Sequence, residues 1–190
     1  MGVPIASLLK ELSGGDLRSG GRANHIVARV AREPALFRRL FRGLSSRDRI
    51  VRMRAADAIE KITVDRPELL LPYKRDLLEL AASSGEKEFR WHMALLLPRL
   101  KLRVSERAAA MDILHEYLGD GSSIVRTCAM QGLADFARQD VSLISRVRPL
   151  MERLTAIGTA AMRARGRKIL KQLNDAGARS HSTCCVPNEL

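Results

Sequence analysis

LFRRLFRGLSSRDRIVRMRAADAIEKI, the run from Leu36 to Ile62, is the stretch on which the fold turns. It reads as an apolar-striped helix, a short polar turn and a second striped helix. In the second helix Val51, Ala55, Ala58, Ile59 and Ile62 fall at i, i+4, i+7, i+8 and i+11, one face of a helix. Neither helix can bury such a stripe alone, so the two must pack on each other and on further helices of the same kind.

The chain supplies those helices. Phe89, Met93, Leu96, Leu97 and Leu100 repeat the stripe in the same register, and so do Val125, Ala129, Gly132, Leu133 and Phe136. Aligning the segments on the arginine that follows the first apolar residue places Arg52, Arg90, Arg126 and Arg163 at intervals of 38, 36 and 37 residues. A fixed period of this size is the mark of a helical repeat. A weaker copy precedes them, because Arg22–Val27 (RANHIV) aligns with Arg54–Ile59 (RAADAI).

Asp48, Val51, Arg52, Ala55, Ala58 and Ile59 follow the pattern D-x-x-V-R-x-x-A-x-x-A-[LI], and in this the chain resembles the HEAT-repeat family. The resemblance implies an all-α, right-handed solenoid of about five helix pairs. It covers Leu36 to Leu173 well and residues 1–35 poorly, which leaves the latter as a degenerate cap repeat of a single domain over 1–174. Residues 175–190 (DAGARSHSTCCVPNEL) lose the periodicity and are expected to be a disordered tail.

Punctuation sets the helix limits. The first pair is expected at Pro4–Leu12 and about Arg18–Arg32, divided by Gly14-Gly15 and Gly20-Gly21. Pro34 suits a first helical position and opens Ala35–Leu44. Asp48 caps a helix running to about Thr63. A third pair begins after Asp65-Arg66-Pro67, is kinked at Pro72, and continues after Ser83-Ser84-Gly85 as Glu86–Leu100, bent or ended by Pro98. Val104–Leu118 and Ser122–Ala137 form the fourth pair, and Asp140 caps the fifth, Val141–Ala156 (with Pro149) and Thr159–Leu173.

Net charge is +12 over 190 residues, and it is uneven. From Leu17 to Arg54 eleven arginines face only Glu33 and Asp48, a balance of +9. From Ala55 to Ser145 twelve basic residues meet fourteen acidic ones, and from Arg146 to Lys171 eight basic residues meet only Glu152. Basic ends around a near-neutral middle point to an acidic partner, or else to a solvated arginine-rich surface. No run reaches the roughly 18 apolar residues of a membrane span. The N-terminus MGVPIASLLKEL lacks the layout of a secretory signal, and Ala6 stands where a myristoylation motif needs Ser or Thr. Cys128, Cys184 and Cys185 make no disulfide framework, so a reducing, cytoplasmic setting is expected.

Candidate site residues come from the second helices. The resemblance implies that these helices line a concave surface. Trp91, the single tryptophan, lies about 200° around its helix from Phe89 and is flanked by Arg90 and His92. It is either a binding anchor on that surface or a wedge between helices. Met53, Arg54, Gln131, Arg165 and Lys168 share the same side, with Arg126 and Arg163 beside them. The repeated arginines could form an anion-binding ridge. In the family they pair with an acid near the turn, and Asp48 and Glu86 stand four residues before Arg52 and Arg90 to match.

Catalytic alternatives find little support. HEAT-like DNA alkylation-repair glycosylases use several aromatics and a catalytic Asp, whereas here Asp57 is the one carboxylate near Met53 and Tyr73 and Tyr117 fall on first helices. The HEAT-like di-iron hydroxylases repeat a His-Glu pair that occurs once here, His115-Glu116. His25, His92, His115 and His181 sit in separate segments, so neither a metal nor another cofactor is expected. The expectation is a non-catalytic scaffold for an acidic protein segment, with sequence-independent nucleic-acid binding as the alternative.

Overall fold

A computed structural model describes residues 5–16 and 19–182, with side chains from 8 to 179 in that range. The described residues are all-helical and contain no strand. They form α1 (Ile5–Lys10), α2 (Ala23–Arg32), α3 (Phe37–Phe41), α4 (Arg49–Asp65), α5 (Lys74–Ser83), α6 (Lys87–Leu96), α7 (Val104–Tyr117), α8 (Ser123–Gln139), α9 (Ile144–Ile157) and α10 (Ala160–Ser182). No helix among the described residues is long and apolar enough to cross a membrane. The chain divides into two compact units, Met1–Arg103 and Val104–Leu190.

In Met1–Arg103, α4 is the central element, packed against α2, α3 and α6. Asp48 starts it as the sequence predicts, its Oδ1 accepting from the Ile50 amide at 2.8 Å. The stripe Val51, Ala55, Ala58, Ile59 and Ile62 is buried, as are Phe89, Met93, Leu96, Leu97 and Leu100 of the next second helix. Burial of α4 reaches further round than one stripe, taking in Met53, Arg54, Ala56 and Thr63, because neighbours cover it on several sides.

The proline segments depart from regular α-helix. Pro34–Leu36 and Pro67–Tyr73 are 3-10 turns, so the bend expected at Pro72 takes the form of a tightened segment before α5. Pro98 sits in another 3-10 turn, Leu97–Arg99, that ends α6. The expected helix Ala35–Leu44 is a composite, with α3 between the turn at Pro34 and a second 3-10 turn at Arg42–Ser45. The second helix of the first pair starts at Ala23; Arg18 and Pro4, the expected starts, lie outside the described residues.

In Val104–Leu190, α8 packs against α7, α9 and α10, burying Val125, Ala129, Gly132, Leu133 and Phe136. Helices α9 and α10 approach so closely that a Cβ on Gly166 would meet Thr155 Oγ1 at 1.9 Å. Leu173 is not the end of α10. The helix continues to Ser182 with Ala176 buried, so residues 175–182 are helical rather than part of a disordered tail. Residues 183–190, including Cys184 and Cys185, lie outside the described residues.

Candidate functional site

Three of the four aligned arginines share a local task. Arg52 donates to the Ser46 carbonyl at 2.5 Å, Arg90 to that of Ser84 at 2.6 Å, and Arg163 to that of Gly158 at 2.7 Å. Each side chain thus reaches back five or six residues to close the turn before its own helix. Arg52 also holds Glu86 of the following helix pair through Nε at 3.2 Å and through Nη2. Beside it Arg49 reaches Glu88 at 2.5 Å. Burial works against the ionised Glu88, but its own backbone amide and Arg49 outweigh that and hold the carboxyl below its ordinary value. Arg126 differs, since its Nε is buried with no hydrogen-bond partner.

Three of the ten candidate binding residues are buried and offer no surface to a partner. Met53 is 5% exposed, Arg54 3% and His92 6%. Arg54 is turned inward by the loop after α1. Its Nη1 donates to the carbonyls of Leu12 at 2.8 Å and Gly14 at 2.7 Å, its Nη2 to Asp16 at 3.2 Å and its Nε to Ser19 at 3.1 Å. Carbonyls left open at a helix C-terminus carry partial negative charge, and a guanidinium with donors in a planar fork satisfies several at once. Gly21, at φ 51°, lies against that guanidinium; a Cβ there would sit 2.6 Å from Arg54 Cζ. The glycine pairs that mark a break in the sequence are therefore the seat of an arginine clamp.

Trp91 is half-buried and meets the His92 ring edge-on at a centroid distance of 5.4 Å. Arg90 beside it is half-buried too.

The remaining candidates are in the second unit. Gln131 is engaged by Asp135 at 2.9 Å and by Arg165 at 3.2 Å. Arg163, Arg165 and Lys168 are exposed, together with Arg167 and Lys171, which the sequence reading did not single out. Met162, Gly166, Ile169, Leu173 and Ala176 form the buried stripe of α10; of the five cations, Arg163, Arg167, Lys168 and Lys171 lie away from that stripe, while Arg165 flanks it and donates to Gln131 of α8. None of the five meets a carboxylate among the described residues. Arg146 and Arg153 of α9 are exposed as well, with Glu152 the one acid between them.

One constellation was hidden from sequence spacing. Asp57 and Glu60 of α4 and His92 of α6 bring one ligand-type atom each to within 4.8 Å of one another. His92 Nδ1 is buried, has no hydrogen-bond partner, and lies 3.8 Å from Glu60 Oε2. Arg99 donates to Glu60 Oε1 at 2.8 Å, and Lys61 to Asp57 Oδ2 at 2.7 Å. The His92 imidazole, and after it Arg99, hold the Glu60 carboxyl below its ordinary value against the cost of burial. Thirty-two residues separate Glu60 from His92, and only the packing of α4 on α6 reveals the cluster.

In the concavity lined by Phe41, Arg42, Ser45, Asp76, Glu79, Leu80 and Ser83, the Ser83 hydroxyl donates to the Glu79 backbone carbonyl at 2.8 Å. No protein-family model matches the chain, and no curated protein sequence matches it.

Proposed function

We propose that the chain is a HEAT-like solenoid protein with a non-catalytic role, holding an acidic segment of a partner protein against its last second helix, α10. The observation that carries this reading is the row of Arg163, Arg165, Arg167, Lys168 and Lys171, exposed and, among the described residues, without carboxylate partners. Five like charges within about three turns repel one another, a cost that an acidic partner reverses. The repeat architecture is supported within Met1–Arg103 by the contacts of α4 with both α2 and α6, and by the Arg52–Glu86 link.

Nucleic-acid binding is the second reading, and a specific feature favours it. The exposed neighbours of the cations on α10 include Ala160, Ala161 and Ala164, none large enough to anchor a protein side chain. Binding there would be chiefly Coulombic, which a phosphate backbone satisfies without an anchor.

The test is a titration with a labelled Asp/Glu-rich peptide and with single-stranded and duplex oligonucleotides, at low and physiological salt. Wild type should bind the peptide at physiological salt, and Arg167→Glu/Lys171→Glu should weaken binding at least about tenfold with helicity unchanged. Tighter oligonucleotide binding, with a steep salt slope, would transfer the function to nucleic acid. Failure to bind either class, or indifference to the charge reversal, would remove α10 as the binding surface.

A further inference from the structure

We propose that Asp57, Glu60 and His92 form a binding site for a divalent transition-metal ion of the Zn²⁺ class, bridging α4 and α6. His92 is the central ligand. Its side chain is 8% exposed, and its Nδ1 has no hydrogen-bond partner although the Glu60 carboxylate faces it. A buried ring nitrogen left open beside a carboxylate has lost water without gaining a partner. At 3.8 Å from Glu60 Oε2 the pair is too long for a hydrogen bond. It is close to the separation of about 3.3 Å between two ligands of a tetrahedral ion with bonds of about 2.0 Å. The third ligand-type atom, from Asp57, falls within 4.8 Å of both, so small side-chain rotations close the triangle.

The donor set indicates the ion. One imidazole with two carboxylates and no thiolate suits a borderline ion such as Zn²⁺, with the fourth position open to water. The surroundings supply outer contacts. Arg99 holds Glu60 Oε1 at 2.8 Å, leaving Oε2 toward His92. Lys61, held also by Asn24 at 2.8 Å, orients Asp57 through Oδ2. These two cations oppose the ion's charge and set the affinity below that of a structural zinc cage. A micromolar dissociation constant, not a nanomolar one, is the expectation.

Trp91 gives the site its own reporter, since its ring stacks edge-on against His92 at 5.4 Å. The experiment uses the full-length chain with Cys128, Cys184 and Cys185 replaced by Ser, so that no thiolate competes. After removal of metal with a chelator, Co²⁺ should quench Trp91 fluorescence saturably at one equivalent, and Zn²⁺ should reverse the quenching by displacement. Glu60→Gln and Asp57→Asn should each weaken binding at least about tenfold. The half-buried Asp57 is chosen so that a folded variant remains if Glu60→Gln or His92→Gln perturbs the core, with circular dichroism as the check. Absence of saturable quenching up to millimolar Co²⁺, or quenching that folded Asp57→Asn leaves unchanged, would overturn the site.

Discussion

Arg54 shows how far one side chain's role can depart from its position on a helical wheel. Its place on the second helix suggests a partner-facing residue, yet its guanidinium is buried and bonded to backbone carbonyls of Leu12, Gly14, Asp16 and Ser19. Arg54→Met would keep much of the apolar stem while leaving these carbonyls and the loop without donors. The expected loss is about 3 kcal/mol, within the range for hydrogen bonds to charged groups and their buried partners. Arg54→Lys should rescue only part of it, because three donors on a point charge cannot match a planar fork. Urea unfolding measures both, and a wild-type midpoint for Arg54→Met would refute the clamp. Nothing in the local sequence marks this arginine apart from Arg52 or Arg90. The signal was in the glycines, since Gly21 at positive φ leaves the room that Arg54 fills.

At the scale of elements, helix starts and stops were largely legible, because capping acids and prolines act within a few residues. Asp140 is the plainest case. It accepts from the Ser142 hydroxyl at 2.6 Å and amide at 3.1 Å, opens the 3-10 turn before α9, and receives Arg107 of α7 at 2.6 Å. The Ser142 hydroxyl and amide, with Arg107, hold its carboxyl below the ordinary value. A group with a depressed folded pKa contributes stability above its unfolded pKa and loses it as pH falls through the folded one. Acidification below the usual carboxylate range should therefore destabilise the link between α7 and the turn that opens before α9. Asp140→Asn should flatten that acid limb of the stability profile, as thermal melts across pH would show; an unchanged limb would exclude Asp140 as its source. The end of α10 was not legible. Residues 175–182 are polar enough to read as tail, yet they continue α10 and Ala176 is buried. The Asp57–Glu60–His92 cluster escaped for a related reason, since it depends on the offset between two helices rather than on spacing within one.

Across the whole molecule, the +12 charge is uniform neither in sequence nor in use. In Met1–Arg103 several arginines are tied to carboxylates, Arg29 to Glu11, Arg49 to Glu88, Arg52 to Glu86 and Arg99 to Glu60. In Val104–Leu190 Arg163, Arg165, Arg167, Lys168 and Lys171 of α10 meet no carboxylate among the described residues. Salt shortens the reach of exposed charges from about 30 Å at 0.01 M to about 8 Å at 0.15 M. Raising it over that range should increase hydrogen-exchange protection along α10 while leaving α4 level or slightly less protected. The opposite ordering would mean that α10 is not under self-repulsion.

The arginine clamp also bears on how this chain tolerates change. Arg54 reads main-chain oxygens only, and every residue type supplies those. The side chains of Asp16 and Ser19 hold the loop as well, Asp16 Oδ1 accepting from the Ser19 amide at 3.0 Å and Ser19 Oγ from the Gly21 amide at 3.1 Å, so substitution there is expected to cost less than at Arg54 or Gly21 but not nothing. A saturation-mutagenesis map of residues 12–16 and 19–21 would show graded tolerance that ends at Gly21, coupled to one intolerant position on a distant helix, Arg54.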